Sequence, residues 1–386
     1  GILLIAVGAI LFAVGLAIVF GREGRRLTPS ARRGWGIALL VGLALVPVVA
    51  AGVLATSDRG LGGSISHGWH SLTDPDANTP ANDPSRLTAV GSVRARYWRE
   101  AIDIFNSRRA VGVGAGGYAI ARTRFRDDTL DVRHAHGYLV QTAADLGIAG
   151  LVLSLALLGG WIAAALGATG TWRPRPPRLE EPERHGLIAL VTVVVVFGVH
   201  SLLDWTWFIP GTAIPALLAA GWVAGRAPGR AGTAAPDRLH MAWRAGAATL
   251  IAAAALAAAI SATRPEKAAT AIDDSLAALA AGRPDEAERL AQRAADANPS
   301  AIEPLFTKSR IAASQGRRPQ AIAALQHAVQ LQPANPETWL HLATFELTTM
   351  KDAAAAKRDV APALYLDPRS VTAQALFLEA DRQAGK

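Results

Sequence analysis

The chain has 386 residues, 51% of them hydrophobic, a formal net charge of +8 and no cysteine. The missing cysteine excludes disulfides, a thiol nucleophile and a Cys-based zinc site. The apolar residues fall in blocks and the arginines mostly between them, so the positive charge points to membrane topology rather than to nucleic acid.

Six blocks approach the roughly 20 apolar residues that a membrane-crossing helix needs. They lie at about 1–20, 35–55, 147–169, 186–204, 211–225 and 244–262. The fifth is short and opens with Pro210 and Pro215. Gly1 already stands inside an apolar run, which leads us to expect further membrane helices ahead of it. Short arginine-rich loops stay in the cytoplasm. Segments 21–34 (Arg22, Arg25, Arg26, Arg32, Arg33), 170–185 (Arg173, Arg175, Arg178, Arg184) and 226–243 (Arg226, Arg230, Arg238) form one alternate set of loops. The interval 56–146, the Asp204–Gly211 link with Trp205 and Trp207, and everything after residue 262 are then expected outside the cytoplasm.

Within the long interval, residues 56–90 are rich in Gly, Ser, Asp, Asn and Pro and read as irregular loop. Residues 91–106 read as an amphipathic helix with Arg94, Trp98, Ala101, Ile102 and Phe105 on one face, suited to a membrane surface. Gly112-x-Gly114-x-x-Gly117 matches a dinucleotide-binding pattern but lacks its βαβ context, so we read a glycine-rich turn that passes close to other backbone. Asp74-Pro-Asp76 sits in turn-forming sequence, and His67 and His70 have no carboxylate partner in place, so no metal site is expected.

Arg94 is either an arginine snorkelling to the lipid headgroups or a bidentate phosphate clamp. Arg96, Arg99, Arg122, Arg124 and Arg126 add to a positive field suited to an anionic substrate, some of them as plain solvated charges. His134 and His136 stand just ahead of an apolar helix, where imidazole could serve as a base near neutral pH or lie as an ordinary interface residue. His200 and Asp204, four apart at the end of a span, are expected to share a face, as a site or as a structural pair.

Residues 263–386 change character: every lysine of the chain lies there. A period of about 34 residues relates Ala287, Ala321 and Ala355 and also Gly282 and Gly316. Pro299, Pro333 and Pro368 end successive units, and Lys351 stands where the third glycine would be. The pattern resembles the tetratricopeptide repeat, whose stacked helix pairs commonly bind a protein partner.

Four features in order resemble the O-antigen ligase and polymerase superfamily. They are Arg94-x-x-x-Trp98, Gly112-Val-Gly114, His134-Ala-His136, and Asp145-Leu-Gly147-Ile-Ala-Gly150 opening a span. His200-Ser-Leu-Leu-Asp204 resembles a later feature of many members that carry tetratricopeptide repeats. The resemblance implies an all-α polytopic transmembrane bundle, a partial GT-C-like fold, with a C-terminal helical-repeat domain. The expected division is 1–225 membrane domain, 226–262 linker and last span, and 263–386 repeats. It further implies transfer of a glycan from a polyprenyl-pyrophosphate donor to an acceptor hydroxyl on a glycan or lipid. The transfer would take place at the outer face of the cytoplasmic membrane, without metal or cofactor. Arg94 and His136 then map to the catalytic pair, with Arg96, Arg124, Arg126, His134, His200 and Asp204 in substrate binding. Gly137 departs from the family, where Asn is usual. Direct displacement with inversion is expected, since no side chain stands out as a covalent nucleophile. A competing reading makes the spans an anchor for a non-enzymatic repeat scaffold in envelope polysaccharide assembly. Another is a transporter of the same lipid.

Overall fold

The computed structural model describes residues 51–74, 76, 93–170, 181–226 and 238–385, together with Gly34, Ile37, Val41, Leu45, Val48 and Val49. Every regular element among the described residues is helical. The chain forms two compact units, Gly1–Arg99 and Glu100–Lys386. The span expected at 1–20 and most of the basic loops lie outside the described residues.

In the first unit, α1 (Gly60–Thr73) occupies sequence expected to be irregular. The glycines there are outweighed by Leu61, Ile65 and Trp69, spaced four apart so that they fall on one helical stripe. All three are exposed. Helix α2 (Arg94–Ser107) starts in the first unit and continues into the second. Its core-facing side in the second unit is Glu100, Ala101 and Ile104, whereas Ile102 is exposed.

Three helices of the second unit form a small bundle: α3 (Tyr138–Ala168), α4 (Glu181–Leu203) and α5 (Pro210–Gly225). Helices α3 and α4 are long and apolar enough to cross a membrane, as is the stretch Ala245–Ala280, which includes most of α6 (Arg238–Ala262). Helix α5 is shorter; at 1.5 Å per residue its 16 residues reach about 24 Å. The end of α3 meets the start of α4 and the end of α5, where Ala165, Ala168, Leu187 and Val223 pack. There Trp161 Nε1 donates to the Ala220 carbonyl (3.1 Å), Arg184 donates to the Thr169 carbonyl (3.0 Å), and Arg226 pairs with Glu183. The opposite end gathers the start of α3, the end of α4 and the turn Thr206–Phe208. Helix α3 begins nine residues before the span expected from residue 147. Gly147 is a kink inside it, at φ 63° and ψ −157°.

The repeat region continues as α7 (Arg264–Ala280), α8 (Pro284–Ala297), α9 (Glu303–Ser314), α10 (Arg318–Leu331), α11 (Pro336–Phe345), α12 (Ala353–Leu366) and α13 (Val371–Ala384). Consecutive helices pair through small buried residues such as Ala287, Ala321 and Ala343, which allow close approach. Proline in the first turn starts α7 through α11, where a missing N–H costs no helical bond. The third pair departs from the period for a visible reason. A π-helical turn, Glu346–Met350, inserts one residue before the loop. The buried counterpart of Ala287 and Ala321 is therefore Ala356, not Ala355. Lys351 takes the left-handed conformation (φ 59°) that Gly282 and Gly316 adopt in the earlier units.

The end of α12 touches the loop that precedes α3. Thr123 Oγ1 donates to the Leu366 carbonyl (2.9 Å), Arg126 pairs with Asp367 (2.7 Å), and the Arg124 guanidinium lies 4.1 Å from the centre of the Tyr365 ring. Arg126 and Asp367 are largely buried there, where removing one partner strands the other charge. The chain has no native cysteine, so Thr123→Cys with Leu366→Cys can be joined by a short flexible bis-thiol cross-linker without competing thiols. Adding Asp367→Lys should cut the cross-linking yield by roughly threefold or more, and a further Arg126→Glu should restore it. Equal yields throughout would show that the ion pair does not hold the contact.

Candidate functional site

The site grows from the kink in α3. A helix that bends at Gly147 leaves backbone groups without their i−4 partners, and these must be satisfied elsewhere. The glycine-rich loop supplies them. Val113 N–H donates to the Ala144 carbonyl (3.1 Å) and Gly114 N–H to that of Asp145 (2.8 Å), while Ile148 N–H and Ala149 N–H donate to the carbonyls of Arg109 (2.8 Å) and Ala110 (3.1 Å). Backbones this close leave no room for side chains. A Cβ on Gly112 would lie 2.4 Å from Asp145 carbonyl atoms, and one on Gly147 would lie 2.5 Å from the Arg109 carbonyl oxygen. The glycine pattern thus serves a backbone strap.

The buried Asp145 carboxylate ties the strap to α3. Its Oδ1 accepts from Tyr118 N–H (2.8 Å) and its Oδ2 from Gly116 N–H (3.2 Å) and Gln141 Nε2 (3.0 Å). The other end of the Gln141 amide, Oε1, accepts from Ala135 N–H (2.7 Å). Ala135 lies between His134 and His136, both sequence candidates. His136 has a left-handed backbone, φ 53°, an uncommon state for a residue with a side chain.

His136 Nδ1 lies 3.1 Å from Asp204 Oδ1. An ionised carboxylate only accepts, so Nδ1 carries the proton of this bond, and in the neutral form of the ring the lone pair is on Nε2. Asp204 also accepts from Trp205 N–H (2.8 Å). It sits one residue beyond α4, its N–H still bonded to the His200 carbonyl (3.0 Å); its carboxylate turns to His136, and the His200 side chain is exposed. His134 stacks on Phe208 (4.2 Å between ring centres) and Trp205 (5.3 Å), and Trp205 meets His136 edge-on. Its Nδ1 is buried without a hydrogen-bond partner. Burial, followed by neighbouring His136, pushes the His134 pKa below its usual value, so it stays neutral as an aromatic wall. Tyr138 and Trp207 extend the cluster, edge to face.

Residues 2–155 match the O-antigen ligase family. Over that stretch the chain is consistent with the O-antigen ligase superfamily. The matched stretch holds the strap, Asp145, Gly147 and both histidines; Asp204 lies beyond it. The family goes with a membrane-bound, glycosyltransferase-like role in polysaccharide assembly. No curated protein matches the chain. The first tetratricopeptide repeat domain of Spaghetti (RPAP3), solved with an HSP90 peptide, is similar at 16% identity and a TM-score of 0.28, over 32% of this chain and 96% of that one.

The arginines expected around the site divide. Arg122 is fully buried, with Nε 2.6 Å from Glu100, a second ion pair to Asp128 (2.9 Å) and a bond to the Leu130 carbonyl (2.8 Å). It holds the loop together and adds no open positive field. Burial raises the Glu100 pKa, and the paired Arg122 opposes that rise. Arg124 and Arg126, expected at the substrate, are engaged by Tyr365 and Asp367 of the repeat region. Arg94 and Arg96 belong to the first unit, in the opening turn of α2; the histidines, Asp204 and the other arginines belong to the second. Among the described residues no three His, Asp or Glu side chains group as metal ligands. Asp145 and Gln141 are the residues that sequence reasoning misses. Asp145 stands in a motif that reads, from sequence, only as the opening of a span.

Gly147→Ala should cost on the order of 3 kcal/mol, because it meets both a backbone clash and a nearly glycine-only conformation. Thermal unfolding of the detergent-purified protein would measure this, and a wild-type transition would contradict the strap. His134 has a depressed pKa, so the unfolded chain takes up its proton first. The folding stability it lends is present above about pH 6.5 and lost as pH falls below. His134→Phe should therefore show a smaller drop in stability between pH 7.5 and 5.5 than the wild type.

Proposed function

We propose that this protein transfers a glycan from a polyprenyl-pyrophosphate carrier to an acceptor hydroxyl at the outer face of the cytoplasmic membrane. The observation that carries the reading is the His136–Asp204 pair, set among aromatic rings at one end of an apolar helix bundle. Asp204 holds the tautomer in which His136 Nε2 can accept a proton. In the step, the acceptor hydroxyl gives its proton to Nε2 as its oxygen bonds the anomeric carbon. The bond from that carbon to the pyrophosphate oxygen breaks, and the pyrophosphate leaves with the electron pair. Configuration inverts.

Arg94 and Arg96 are assigned to the pyrophosphate on the strength of their sequence pattern, since guanidinium pairs bidentately with phosphate oxygens. Arg126 is left out of that role because Asp367 pairs with it, while Arg124, stacked on Tyr365, keeps its N–H donors for phosphate. The basic ends Arg184 and Arg226 lie at the opposite end of the bundle from His136, in accord with a cytoplasmic position by the charge rule. Residues 263–386 are proposed as a tetratricopeptide-type domain outside the cytoplasm that recruits a protein partner. The helix pairs and their period support this.

In proteoliposomes supplied with a polyprenyl-pyrophosphate-linked glycan and an acceptor, His136→Ala should slow transfer by roughly 10²–10⁴-fold. Arg94→Ala should slow it by roughly 10²-fold or more, like the loss of other charge-stabilising donors. Transfer at the parent rate by both variants, inserted at normal levels, would overturn the assignment.

A further inference from the structure

We infer that Gln141 is a positioning residue for the transfer reaction: it locks the backbone ahead of His136 so that the imidazole is delivered to Asp204. The inference rests on the catalytic reading of His136. It starts from an amide that is almost wholly buried and can point only one way. Gln141 Oε1 faces the Ala135 N–H at 2.7 Å, and Nε2 faces Asp145 Oδ2 at 3.0 Å. Flipping the amide would set a carbonyl oxygen against a carboxylate and an NH₂ group against an N–H. Asp145 is fixed in turn by Tyr118 N–H and Gly116 N–H. A directed chain of hydrogen bonds therefore runs from the glycine strap through Asp145 and Gln141 to the peptide between the two histidines.

That peptide needs fixing. The next residue, His136, is held at φ 53°, and a side chain there persists only when its surroundings over-determine it. Gln141 is anchored in the first turn of α3, where its own N–H bonds the Gly137 carbonyl (3.0 Å). The helix start, the strained histidine and the strap thus share one buried side chain. Ala135 and Ala144 pack beside it in the cluster with Ala101, Ile104 and Tyr118. The apolar surroundings exclude the water that would otherwise replace a lost partner.

The test compares Gln141→Leu, Gln141→Glu, and Gln141→Glu combined with Asp145→Asn. The Gln141→Glu carboxylate keeps an acceptor for Ala135 N–H but opposes the carboxylate of Asp145. The double variant restores the pairing in reverse. The amide introduced at position 145 can donate to the carboxylate introduced at position 141, while its oxygen still accepts from Tyr118 N–H; the Gly116 N–H, which Oδ2 of Asp145 accepts from, loses its acceptor, so the repair is partial. Two readouts apply: the transfer kinetics, and the ¹⁵N shifts of the His136 ring, assigned by their loss in His136→Gln. Both single variants should lose the Nδ1–H form in favour of a tautomer mixture. Their kcat should fall by roughly 10–100-fold while KM for the donor stays within about twofold. The double variant should move the ring signal back toward the wild type and recover part of the kcat that Gln141→Glu loses. A wild-type ring signal in Gln141→Glu, or a double variant no better than the single one, would overturn the inference. A shifted ring signal with unchanged transfer would keep Gln141 as the residue that sets the tautomer and overturn the catalytic reading of His136 instead.

Discussion

The Asp145 carboxylate is the point on which the second unit's loop and membrane helices meet. It accepts from two backbone N–H groups of the strap and from the Gln141 amide. A carboxylate buried this deeply is tolerated because hydrogen bonds surround it. Two things follow from it. The loop 108–118 is drawn close enough to the Gly147 kink to take over the backbone groups that the bend leaves unpaired. The peptide carrying His136 is set by a side chain one turn along the same helix. His136 thus inherits its position from a helix, although it lies on a loop.

Part of the long loop's positive charge serves structure. Arg122 is consumed by Glu100 and Asp128 inside the loop, Arg126 pairs with Asp367 of the repeat region, and Arg124 lies over the Tyr365 ring. An arginine count along the sequence therefore overstates the positive field open to a substrate. The repeat region, in turn, is seated on the loop that leads into α3 by a carbonyl, an aromatic face and a carboxylate from the end of α12.

The helical fold and the helices α3 and α4 were legible because apolar runs of that length have few other uses. The family resemblance was legible in the spacing of Arg94, the glycines, the histidines and Gly147. Four things were not. The helix α1 was hidden by its glycines, because composition spoke for a loop while the spacing of Leu61, Ile65 and Trp69 spoke for a helix. The start of α3 lay nine residues early because a glycine kink with outside hydrogen bonds reads in sequence as a helix start. The partner of Asp204 could not be read at all. Its spacing from His200 suggested a shared face, but α4 ends at Leu203, and the carboxylate turns to a residue 68 positions away. In the repeat region, Ala356 took the place expected for Ala355 because a π-turn adds one residue, and periodicity cannot show such an insertion.

The most direct test of the account is a double-mutant cycle on single-turnover transfer with His136→Gln, Asp204→Asn and both together. If Asp204 acts only by orienting the His136 proton, the double variant is no slower than His136→Gln alone. If the two losses multiply, the residues act independently, and the His136–Asp204 pair is not the catalytic unit.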